Sequence, residues 1–148
     1  MKDLFEHRGF WSGDVKNVTP REAFDLCQQG AVMLDVRADE LVAFKCFGVS
    51  NWLNIWEKEL SDRLGELSKD LYYILADSVG IHSKEAYHLL RSVGFERIVH
   101  LAGGLVEWER DGLPVLEDVR ERLSGSCTCQ LRKRERKGKI GKQKTGRT

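Results

Sequence analysis

A chain of 148 residues is the size of one domain, and its 41% hydrophobic and 32% charged residues exclude a wholly disordered or low-complexity protein. No stretch approaches the roughly 18 to 20 consecutive apolar residues of a membrane-spanning helix, and the opening MKDLFEHRGFWSGD lacks the apolar core of a secretory signal, so a cytoplasmic protein without membrane contact is expected. The net charge of +1 conceals an asymmetry: residues 131–148 carry nine Lys/Arg against Glu135 alone, leaving 15 Lys/Arg and 22 Asp/Glu in the first 130.

Residues 1–15 form a polar lead-in containing Phe10 and Trp11. VTPREAFDLCQQG (18–30) predicts a helix, with Thr19 as N-cap, Pro20 in the first turn, Glu22 as capping-box partner and Gly30 at the end. Cys27 within it reads as a small core hydrophobe. AVMLDV (31–36) is a continuous apolar run ending in an acid, which fits a strand covered on both faces. Then come a short helix over ADELVAF, Cys46 with its thiolate favoured by Lys45 if both are exposed, and a short strand over VSNWLNI. Leu60, Leu64 and Leu67 give residues 57–68 helical spacing. LYYILA (71–76) predicts a second buried strand, SKEAYHLLRSVG a helix closed by Gly94, and RIVHLA (97–102) a third strand. Paired Gly103 and Gly104 lead into a short helix carrying a core Trp108 and ending at Gly112 and Pro114; residues 116–124 predict one more helix.

Strands alternating with helices imply an α/β fold, a central parallel sheet with helices on both faces, as a single domain over residues 16–123. Ligands of such sheets bind beyond the carboxyl ends of the strands. Asp35 and Asp77 both fall there. Asp77, Ser78, Val79, Gly80, Ile81 and His82 then form a loop entering a helix at Ser83. A strand that turns tightly into a helix points several backbone N–H groups at one place, where the helix dipole adds positive potential. That cradle suits an anion.

The order of these elements, with LDVR at 34–37 and Gly103, Gly104, Trp108, Gly112 and Pro114 near the end, resembles the rhodanese-like (sulfurtransferase-like) family over residues 17–116. The resemblance implies a loop cysteine that carries sulfane sulfur as a persulfide, and an arginine at the last loop position. Carried over, the cysteine falls on Asp77 and the arginine on His82. A carboxylate oxygen cannot accept and release sulfane sulfur as a thiolate does. Asp77 is therefore expected to turn into the cradle and cap the helix, in a catalytically inactive binding or regulatory module that recognises an anion or a thiol-bearing protein. Nucleophilic or metal-binding work with Asp35, and acid–base work with His82, are the other roles open to it. Asp35 and Arg37 are expected to form a supporting ion pair or to bind neighbouring loops. No cofactor or metal site is expected.

From Ser124 the chain changes character into a basic tail with too few apolar residues to fold by itself. It offers weak polyanion contact, whose affinity should fall with salt. Cys127 and Cys129 lie close to Arg132, Lys133 and Arg134, whose positive potential lowers thiol pKa. The alternative function is an atypical sulfurtransferase or thiol-redox protein in which Cys127 or Cys129 carries the sulfur.

Overall fold

The computed structural model describes residues 3–117. The elements are β1 (Phe10–Ser12), β2 (Val15–Val18), α1 (Pro20–Gln28), β3 (Val32–Asp35), α2 (Asp39–Phe44), β4 (Lys45–Phe47), β5 (Trp52–Asn54), α3 (Glu57–Leu60), a 3-10 turn (Leu64–Glu66), β6 (Tyr73–Ala76), α4 (His82–Ser92), β7 (Ile98–Leu101), α5 (Gly104–Arg110) and β8 (Val115–Glu117). The main sheet has six strands in the order β1-β2-β7-β6-β3-β5, parallel throughout except for the β1–β2 hairpin.

Strand alternation divides the core into two layers. Ile74 and Ala76 of β6, Val99 and Leu101 of β7 and Met33 of β3 pack with Ala23 and Leu26 of α1 and Leu105 and Trp108 of α5. Tyr73 and Leu75, Ile98, and Val32 and Leu34 face the other way, onto Leu60 of α3 and Ala86, Tyr87 and Leu90 of α4. Helices thus cover both faces, which is why the central strands are mostly apolar, with His100 on β7 a polar exception. Trp108 anchors the first layer. It is fully buried, meets Phe47 edge-on at 5.2 Å and donates its ring N–H to the carbonyl of Pro114, 2.7 Å away.

The capping box at Thr19 and Glu22 is present: the Thr19 hydroxyl accepts the Glu22 N–H, and Glu22 accepts the Thr19 N–H. The lead-in is part of the body. Phe5 is buried against Tyr72, and Phe10 and Trp11 lie on the exposed edge strand β1.

Two expectations are corrected. The helical spacing over 57–68 becomes a one-turn helix, an interruption at Ser61–Arg63 and a 3-10 turn; Leu60 and Leu67 are buried while Leu64 only flanks the core. The helix expected over 116–124 does not begin at Leu116, because Leu116 and Glu117 pair with Cys46 and Lys45 in the antiparallel β4–β8 ribbon. The rest of that segment, the tail from residue 124 and its Cys127 and Cys129 lie outside the described residues. No helix among the described residues is long and apolar enough to cross a membrane.

Candidate functional site

β6 delivers the chain to the site. Asp77 follows its last residue and is 2% exposed. One carboxylate oxygen accepts the backbone N–H of Gly80, and the other accepts those of His82, at 2.7 Å, and Ser83, at 3.1 Å. These donors face one place because α4 opens here, and the first N–H groups of a helix have no partner within it. The carboxylate supplies both the missing acceptors and the negative charge that a helix N-terminus favours.

The paired glycines hold the loop from behind. Leu105 and Val106, in the first turn of α5, donate their N–H groups to the carbonyls of Asp77 (2.9 Å) and Ser78 (3.0 Å). Gly104 takes φ +63°, and a Cβ there would stand 2.5 Å from the Asp77 carbonyl oxygen, so only glycine allows this approach. Gly80 takes φ +96° and lies close to Gly103 and the His100 ring. Val79 and Ile81 project outward, 51% and 63% exposed.

Beneath the loop runs a buried polar chain that the sequence did not disclose. His100 on β7 has Nδ1 2.7 Å from Oδ1 of Asn17 on β2 and Nε2 2.7 Å from the hydroxyl of Ser83. Asn17 donates its amide N–H to the carbonyl of Val15. Its oxygen must therefore accept from His100 Nδ1–H, which leaves Nε2 to accept the Ser83 hydroxyl proton. Burial is the main force on this imidazole: it lowers the pKa from 6.5 to about 4 and keeps the ring neutral, and Lys84 adds to the effect while Asp77 opposes it.

Asp35 and Arg37 occupy the neighbouring strand end, where Asp35 stands in register with Ala76. The guanidinium Nε and one terminal nitrogen donate to the two oxygens of Asp35 at 2.9 and 2.7 Å, with both side chains almost wholly buried. Arg37 also donates to the Lys45 carbonyl, and the Trp52 ring N–H donates to Asp35. The oxygens of Asp35 and Asp77 thus serve separate sets of donors. His82, the first residue of α4, sends its N–H to Asp77 and sets ring Nδ1 3.2 Å from Oε1 of Glu57. Burial, and next to it the hydrogen bond and charge of Glu85, raise the Glu57 carboxyl above its usual range.

Neither described cysteine presents a surface thiol. Cys46 is disulfide-bonded and 1% exposed, so Lys45 beside it activates no accessible sulfur. Cys27 is free and buried, and burial pushes its thiol up to about 12.

A parallel sheet wound by helices, a tight loop at the end of its central strand and a glycine-anchored helix behind that loop now stand together. The family model of the rhodanese-like domain matches residues 19–111. The chain belongs to the rhodanese-like domain family. Among relatives, a thiosulfate sulfurtransferase GlpE of Haemophilus influenzae (strain PittEE) is 27% identical over 104 residues, covering 68% of this chain and 93% of its own. A sulfurtransferase of Allochromatium vinosum is 33% identical over 54 residues, covering 36% of this chain and 50% of its own. Among solved structures, a rhodanese-related protein from Thermoplasma volcanium superimposes with a TM-score of 0.62 at 25% identity, covering 69% of this chain and 98% of its own. A protein from Lactobacillus plantarum does so with a TM-score of 0.60 at 30% identity, covering 69% and 87%. The fold, the α/β class and the family are those expected from the residues of LDVR and the glycine–tryptophan segment.

Missing from the sequence reading were His100, Asn17, Glu57 and Glu85. The first two carried a usable signal, being polar residues inside apolar strand runs, where an unpartnered polar group would be costly.

Proposed function

We propose that this rhodanese-like domain is a non-transferring member of its family, a binding or regulatory module in which the Asp77 carboxylate sits where a sulfur carrier would hold a thiolate. The observation that carries this reading is the convergence of the Gly80, His82 and Ser83 N–H groups on that carboxylate. With its donors engaged, the cradle has little left for a free anion, which favours recognition through the rim. There Val79 and Ile81 expose apolar surface suited to a protein partner, including one that bears a thiol. Chemically, sulfur transfer from thiosulfate needs a thiolate to attack the outer sulfur and expel sulfite. Asp77 cannot do this, and Cys27 is buried and protonated.

The test is to incubate the full chain with thiosulfate and cyanide, assay thiocyanate, and weigh the intact protein for a one-sulfur increment. Neither product is expected. Thiocyanate formation that disappears in a Cys127→Ser/Cys129→Ser variant would overturn the reading in favour of sulfur transfer through those cysteines.

A further inference from the structure

Beside the cradle, three side chains from two helices converge. His82 Nδ1 lies 3.2 Å from Glu57 Oε1 at the start of α3. Glu85, one turn along α4 from His82 and on the same face, brings a second carboxylate towards Glu57. One ligand atom from each of the three lies within 4.8 Å of the other two.

An acid in the first turn of a helix is ordinary, because the dipole favours it. That explains each glutamate alone. It does not explain why carboxylates from two different helices meet, since like charges in contact repel. Among the described residues neither acid has a Lys or Arg ion-pair partner, and the one cationic candidate is the imidazole between the chains. Two carboxylates and an imidazole are the donor set of a borderline divalent cation.

We propose that Glu57, His82 and Glu85 form a binding site for a divalent first-row transition metal of the zinc type, with water completing its coordination. The imidazole argues against magnesium and calcium, which take oxygen ligands, and the absence of sulfur from the set argues against Cu(I). Two ligands each about 2.0–2.1 Å from a tetrahedral zinc stand roughly 3.3 Å apart, which the Glu57–His82 separation of 3.2 Å already matches. His82 and Glu85 are exposed, so rotation of their side chains closes the rest of the triangle. Glu57 and His82 are remote in the chain, and the packing of α3 on α4 brings them together. His82 gives the cradle only its backbone N–H, which leaves its imidazole to this site.

Cobalt(II) is the probe, titrated into the reduced full chain carrying Cys127→Ser and Cys129→Ser to remove competing thiolates. One equivalent should bind with visible d–d absorption and no sulfur-to-cobalt charge-transfer band. His82→Ala, Glu57→Gln and Glu85→Gln should each weaken that binding at least tenfold, while their melting temperatures without metal stay near the parent's. Zinc should compete the cobalt away. Binding that is unaffected by all three substitutions, or no binding by the parent, overturns the proposal.

Discussion

Ser83 Oγ and His100 Nε2 stand 2.7 Å apart at the base of the loop, with both residues sealed from solvent. The same serine gives its backbone N–H to Asp77, so one residue couples the buried histidine to the cradle.

This coupling has a pH signature. A histidine whose pKa is 6.5 unfolded and about 4 folded binds fewer protons in the native state between those values. Stability therefore rises with pH through that window, is fully present above 6.5 and is lost as pH falls towards 4. The shift corresponds to about 3 kcal/mol. Urea unfolding at pH 7, 5.5 and 4 should show the loss, and His100→Asn should flatten it over this window while lowering stability at pH 7. An equal decline in both proteins would show that carboxylates alone are responsible.

Removing the Asp77 carboxylate should cost stability as well as charge. Asp77→Ala leaves the Gly80, His82 and Ser83 N–H groups without their acceptor, and the expected loss is about 2–4 kcal/mol by thermal or urea unfolding. Asp77→Cys should lose less, because a thiolate restores negative charge to the nest. After thiosulfate treatment that variant should gain the mass of one sulfur, released as thiocyanate by cyanide. A folded variant that never takes up sulfur would mean that these N–H groups do not support a persulfide.

The contrast between what was legible and what was not follows from distance along the chain. The buried strands β3, β6 and β7 announced themselves because each is mostly apolar on both faces, and α1 because Thr19, Glu22 and Gly30 mark its ends with local chemistry. The β4–β8 ribbon had no such signal: three-residue strands pair Phe47 with Val115 through a contact decided by the whole fold. Asn17 and His100 became partners only because β2 and β7 are neighbours in register. The loop acid was visible in sequence, whereas the partner of the histidine beneath it was not.

Arg37 offers a test of the second strand end. Its paired nitrogens match the two Asp35 oxygens, and the side chains are 4% and 0% exposed. Arg37→Ala strands a buried carboxylate and should cost about 3–5 kcal/mol. Arg37→Lys keeps the charge but cannot reproduce the fork, so an intermediate loss is expected. Chemical denaturation of the three proteins should rank them in that order; equal stability for lysine and arginine would assign the interaction to charge alone.

Two glycines separate local strain from open space. Gly104 sits at φ +63° with the Asp77 carbonyl 2.5 Å from where a Cβ would go, and Ser78 backbone atoms at 2.6 Å. Gly104→Ala must push the loop off α5, break the Leu105 and Val106 hydrogen bonds to it, and destabilise by about 2 kcal/mol or more. Gly65 in the 3-10 turn has no heavy atom within 4 Å of its would-be Cβ and no positive φ. There the substitution restricts the unfolded chain without straining the folded one, and Gly65→Ala should stabilise by about 0.4–1 kcal/mol. Hydrogen exchange should report the difference locally: in Gly104→Ala the N–H groups of Gly80, His82 and Ser83 should lose protection, because the loop that aims Asp77 at them has moved. Protection unchanged at those amides would mean that the cradle keeps its shape without the glycine clamp.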